Sequence, residues 1–262
     1  MRSVRSALWA ELLKARRSMM SLMTAVGISI LPLAGALFII ILKDPERARQ
    51  MGLISAKAKM LVGVADWPAY FGILLQGSAA AGAVIFALIA SWVFGGEFSN
   101  RTAKELLALP TSRATIVSAK IVLLALWDLG LALLLFVIGL VVGSLLDIPG
   151  WSVQLELASL GSLLLIAFLT FMLMPLVALL ASAGRGYMPP MGWAFFTLAL
   201  AQIAAVLGWG DWVPWSVPAL LSGAAGADAA QLGLHSYVVV LLAFVAGVAA
   251  TLLWWQRADQ SR

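Results

Sequence analysis

The sequence predicts an all-α, polytopic membrane protein with about six transmembrane helices preceded by an amphipathic N-terminal helix. Composition, the number of bilayer-length apolar runs and the placement of Lys and Arg carry that prediction. Of 262 residues, 63% are apolar and 11% charged, with a mean hydropathy of +1.01. Soluble domains hold about 45–50% apolar and about 25% charged residues. So few charges cannot cover a water-facing surface, and lipid has to be the solvent.

A spanning helix needs roughly 20 apolar residues. Runs of that length fall at 19–42, 72–94, 121–146, 157–182, 188–208 and 235–255. Between the fourth and fifth, Gly184, Arg185, Gly186, Pro189 and Pro190 mark a break. The run after Met19 has no small-x-small cleavage site near its end and is expected to be a retained span. The whole of 1–262 is expected to form one transmembrane domain.

Twelve Lys and Arg fall in the N-terminal arm, the second and fourth loops and the C-terminal tail, against five in the first loop. Basic residues concentrate on the cytoplasmic side, so the chain is expected to be a multi-pass cell-membrane protein with both termini cytoplasmic. The first loop resists this count with Lys43, Arg47, Arg49, Lys57 and Lys59. Met51, Ile54, Ala58 and Leu61 follow helical spacing there, which predicts an interfacial helix.

Composition also excludes several functions. With no cysteine, disulfides, zinc-thiolate sites and iron–sulfur clusters are ruled out. The net charge of +5 suits an anionic membrane surface. Nucleic acid is not expected as a partner, because the basic residues form no folded basic face. None of the six lysines follows a glycine, so the G-x-x-x-x-G-K-[ST] phosphate loop is missing from the sequence.

Two segments outside the spans carry more pattern than a connector needs. In residues 1–18, Val4, Leu8 and Leu12 form an apolar stripe flanked by Trp9 and Leu13. Arg2, Arg5, Glu11, Lys14, Arg16 and Arg17 supply charge, as in a helix lying along the membrane surface. A plain topogenic anchor is the equal alternative.

The second loop, 97–113, is richer. Thr102 and Glu105 have capping-box spacing, Pro110 stops the short helix, and Ser112 is placed to cap the third span. Ala103, Leu106, Leu107 and Leu109 face largely one way, while Arg101, Lys104 and Glu105 stay polar. That apolar face fits a groove on a partner; dipping into lipid is the alternative.

Glu97-Phe98, Arg101-Thr102-Ala103-Lys104, the run Leu106 to Arg113 and Lys120 resemble the cytoplasmic loop of type-2 ABC exporter permeases, most closely the bacitracin- and lantibiotic-type efflux and immunity group. The arm with Leu8, Trp9, Glu11 and Leu12 looks like that family's elbow helix. The resemblance implies that 97–113 is a coupling loop, with Glu97, Arg101, Thr102, Glu105, Leu106, Leu107, Pro110 and Arg113 meeting a cytoplasmic ATPase subunit. It further implies a second permease subunit, identical or not, and ATP and Mg bound by the ATPase, with no cofactor or catalytic residue in this chain. The substrate expected on that basis is amphipathic or hydrophobic, such as a peptide antibiotic or a lipid.

Asp128 is the one acidic residue well inside a span, roughly 12 Å along the third helix. Intramembrane carboxylates are costly, and either a structural polar contact or a substrate or gating role accounts for it. An ion-coupled secondary transporter, the alternative function, needs several such groups. A membrane-embedded enzyme needs paired catalytic groups, and the spans hold none. His235, the one histidine, is expected to be incidental. Trp209, Trp212 and Trp215 suit an aromatic belt, with ligand stacking as the lesser option. Gly139 and Gly143 predict a close helix approach, and Pro32 and Pro175 predict kinks.

Overall fold

The computed structural model describes residues 2–44, 64–100, 102, 111–224 and 232–257. In lipid every backbone N–H and C=O has to be satisfied within the segment, so apolar runs become helices. The helices are α1 (Arg2–Arg16), α2 (Met19–Lys43), α3 (Trp67–Gly77), α4 (Ala83–Ser99), α5 (Arg113–Leu145), α6 (Val153–Ala183), α7 (Met188–Val206), α8 (Val217–Leu221) and α9 (Leu234–Arg257). A π-helical segment, Ser78–Gly82, joins α3 to α4 so that the pair crosses as one span. Six helices are long and apolar enough to cross a membrane, and no strand occurs among the described residues.

The number of spans matches the sequence expectation, but several helices outrun their apolar cores. The third span, α5, has 33 residues, about 50 Å at 1.5 Å per residue, against about 30 Å of hydrocarbon. Hydropathy registers only the lipid-length part and places the start near 121. The additional turns run from Arg113, where Ser112 caps as expected by accepting from the Thr115 N–H at 3.2 Å. The second span likewise begins at Trp67, where Asp66 accepts from the Ala69 N–H at 2.9 Å and Pro68 occupies the first turn. The interfacial helix expected within the first loop lies outside the described residues.

Small residues set the closest approaches. A Cβ on Gly139 would stand 2.6 Å from Leu74 Cδ1, and one on Gly143 2.5 Å from the Trp67 ring, so the paired glycines receive α3 as their spacing predicts. On the other flank a Cβ on Gly247 would lie 3.0 Å from the Leu176 backbone N, which brings α9 against α6 beside Pro175. Helices α2 and α6 continue through Pro32 and Pro175. The Pro32 carbonyl accepts from the Tyr70 hydroxyl at 3.2 Å, and the Pro175 carbonyl from Thr251 at 3.0 Å. Gly143→Leu is expected to cost about 1–3 kcal/mol by overpacking against a rigid indole. Gly130→Leu, with open space at its Cβ, is the control in a detergent melt.

Far from the chain termini, Lys43 donates to the carbonyls of Leu146 and Asp147 at 2.9 and 3.0 Å. A cation there offsets the negative end of α5. Beyond α7, two 3₁₀ turns, Gly210–Trp212 and Pro214–Ser216, lead into α8. Trp209 and Trp212 are exposed, as a belt requires. Trp215 departs from that expectation: it turns inward and packs edge-to-face on Trp193 at 5.9 Å. His235 is not alone either, since its Nε2 lies 2.8 Å from Asp211 Oδ2 and its ring stacks on Trp212 at 4.5 Å.

Candidate functional site

The projecting turns of α4 and α5 meet α1 at the end of the bundle that carries both termini. Glu97 lies one turn beyond Val93 on α4, and Lys120 lies on the buried stripe of α5 with Leu124 and Asp128. Glu11 and Lys14, three apart, share a face of α1. These residues form one ionic cluster. The Lys120 ammonium is 0% exposed and sits 2.8 Å from Glu97 Oε1 and 2.9 Å from Glu11 Oε1. It also donates to the Val93 carbonyl at 2.9 Å. Lys14 reaches the same Glu97 Oε1 at 2.6 Å.

The other oxygen of Glu97 belongs to the loop. Thr102 Oγ1 donates to Glu97 Oε2 at 2.6 Å, and the Thr102 N–H donates to the Glu97 carbonyl at 2.9 Å. Burying charge is expensive unless it is paired and hydrogen-bonded. Here two carboxylates face two ammoniums, and every hydrogen bond of Lys120 goes to an acceptor. The cluster is therefore electrically closed, and it fastens the first turn of the second loop to three helices.

The far end of the loop is fastened as well. Arg113 Nη1 donates to the carbonyls of Trp255 and Gln256 at 2.9 and 3.1 Å, which places a cation at the C-terminus of α9. Phe98 packs edge-to-face on Trp254 and Trp255 at 5.7 and 5.9 Å. Trp255 Nε1 donates to Ser182 Oγ at 3.0 Å. Both ends of 97–113 thus rest on a platform built from α1, α4, α5, α6 and α9.

Of the expected coupling residues, Glu97, Thr102 and Arg113 are placed on this platform, whereas Arg101, Glu105, Leu106, Leu107 and Pro110 lie outside the described residues. On α1, Leu8 packs against the core while Val4, Trp9 and Leu12 are exposed. Glu11, which contributes to the charge of that helix, is buried in the cluster. The cluster itself was not anticipated, although the mix of one acidic and one basic residue at the margins of adjacent spans was its signal. Asp128 is 1% exposed, and neither carboxylate oxygen has a hydrogen-bond partner among the described residues, so the structural contact weighed for it is not found. No group of metal-ligating side chains occurs among the described residues.

The model of the ABC-2 family transporter proteins matches residues 7–201. A bacitracin transport permease protein of Bacillus licheniformis is 25% identical over 182 residues, covering 68% of this chain and 85% of that protein. The matched region takes in most of α1, the whole second loop, the first four spans and most of the fifth, including every member of the ionic cluster. With six spans, an N-terminal helix docked at the loop and this match over most of its length, the chain belongs to the ABC-2 transporter family, as a type-2 permease related to antibiotic efflux.

Proposed function

We propose that this chain is the membrane subunit of an ATP-driven exporter, paired with a second permease subunit and served by two ATPase subunits on the cytoplasmic side. The observation that carries this is the second loop, whose family-like sequence is anchored at both ends on a buried, multi-helix platform. A loop built only to reconnect two spans needs a few polar residues. This one has the means to hand a load to the bundle. ATP binding would draw the ATPases together, pull the paired loops and switch access between the two sides. Both chain termini then lie in the cytoplasm, in keeping with the weight of Lys and Arg on that side.

An amphipathic or hydrophobic substrate fits the spans. A cavity of about 150 Å³ lies between the π-helical segment, α7 and α8, lined mainly by Ala79, Ala80, Leu198, Ala201 and Trp215, with Gln202 as its polar member. The named relative transports bacitracin, which makes a peptide antibiotic the first candidate, with lipid the second.

The purified chain is expected to hydrolyse no ATP, since its sequence lacks the phosphate loop. Activity should appear only on adding an ATPase subunit that co-purifies with it. Hydrolysis by the isolated chain, abolished by mutation within this chain, would refute the proposal. On the Cys-free background, cysteines at the exposed residues 151 and 209 should label from outside the cell, and labelling there only from the cytoplasm would invert the topology.

A further inference from the structure

The ionic cluster joins two elements that the permease reading treats separately. Glu97 is shared between the loop, through Thr102 on Oε2, and the N-terminal helix, through Lys14 on Oε1. Lys120 is shared between Glu97 and Glu11. No path from Thr102 to α5 through these side chains avoids Glu97, and every path from there to Glu11 passes Lys120. Each bond is short, and Glu11, Glu97 and Lys120 are buried.

Opening either ion pair of Lys120 strands a charge away from water, which a buried pair resists. Such a set moves most cheaply as one piece. Beside it, a groove of about 200 Å³ separates α1 from the loop's far end, with Ala7, Ala10, Glu11, Thr111 and Ile116 on its walls. The groove separates α1 from Thr111 itself; elsewhere α1 packs on α5, with Ala15 in the core and Leu8 against it.

We propose that Glu11 and Lys120 are positioning residues that weld α1 to the base of the second loop, so that α1 travels with the loop during the transport cycle. The N-terminal helix is then a moving member of the transmission and more than an anchor. Glu11 holds α1, Lys120 is the hub, and Glu97 divides its two oxygens between hub and loop. This inference rests on the coupling role proposed above.

The test uses the complete permease–ATPase assembly in vesicles. Glu11→Ala combined with Lys14→Ala removes both ionic straps to α1, yet leaves Lys120 paired with Glu97 and the loop base intact. The double variant should keep ATPase co-purification and ATP hydrolysis at wild-type level while lowering transport per ATP by about tenfold. A covalent tie should replace the ionic ones: Ala10→Cys with Thr111→Cys, bridged by a short bis-maleimide on this Cys-free chain, is expected to restore transport to the double variant.

The same bridge in the otherwise wild-type protein should leave transport unchanged, because it joins parts that already move together. Full transport by the unbridged double variant overturns the inference, as does arrest of the wild type by the bridge. If the double variant fails to fold, the bridged wild type decides alone. Absence of ATPase co-purification with the wild type overturns the coupling reading and this inference together; every other result bears on α1 only.

Discussion

Replacing Leu106 and Leu107 together by aspartate is expected to separate the permease from its ATPase while leaving the membrane fold intact. If both leucines seat in an ATPase groove, each forfeits about 1.5–3 kcal/mol of apolar burial. Unpaired carboxylates in that groove add a desolvation cost. A loss of roughly 3–6 kcal/mol weakens association by about two to four orders of magnitude. The spans should still insert, because the anchors at either end of the loop, Thr102 on Glu97 and Arg113 on the C-terminus of α9, are untouched. Co-purification of the ATPase at matched expression and detergent stability measures the effect. Undiminished co-purification and transport would remove the coupling assignment. Failure of the mutant to hold its membrane fold would favour the alternative in which these leucines dip into lipid.

Lys120→Met is expected to have the largest effect on stability of any change at the terminal end of the bundle. The thioether fills most of the space of the lysine stem, but Glu11 and Glu97 then face each other with only Lys14, itself partly exposed, to compensate. Removing one partner of a buried ionic group costs about 3–5 kcal/mol. For a chain of this size that lowers Tm by roughly 6–20 °C. Lys120→Arg keeps the charge and should lose less. Adding Glu97→Gln to Lys120→Met restores the balance of one acid to one base and should recover part of the loss, a non-additivity that only interacting residues show. Equal melting of Lys120→Met and wild type would mean that the cluster contributes nothing to holding the three helices together.

The fold was largely legible because lipid leaves the backbone so few options. Once composition demanded a membrane, apolar runs had to become helices, and the number of runs became the number of spans. Helix ends were less legible wherever a polar stretch continues the helix past the hydrocarbon, as Arg113 to Lys120 does. Hydropathy treats those turns as loop, yet they carry half of the site.

The cluster was harder to foresee for a related reason. Glu11, Lys14, Glu97 and Lys120 are scattered over more than 100 residues, and each alone looks like a surface charge at a membrane boundary. Only the docking of α1 across the ends of α4 and α5 brings them together and buries Glu11, Glu97 and Lys120. Trp215 parts from its neighbours Trp209 and Trp212, which face outward; proximity in sequence suggests one role for all three, and the 3₁₀ turn at Pro214 separates them. Nothing in the sequence marks Asp211 as the partner of His235, because it comes 24 residues earlier, across a connection that the fold closes.

The π-helical segment Ser78–Gly82 has a consequence for how the second span transmits rotation. One residue more than an α-helix needs advances the chain by about 100° around the axis. The half with Trp67, Tyr70 and Leu74, seated against Gly139 and Gly143 of α5, is thus out of phase with the half that ends in Phe94 and Glu97. The two halves act as a shaft with a fixed angular offset, and the run Ala79, Ala80, Ala81 and Gly82 is the part of that shaft with the least side chain to resist a change of winding. A twist begun at Glu97 need not reach Trp67 undiminished, because a turn of π-helix tightening to α-helix can absorb it in the middle of the bundle, beside the alanine-lined cavity.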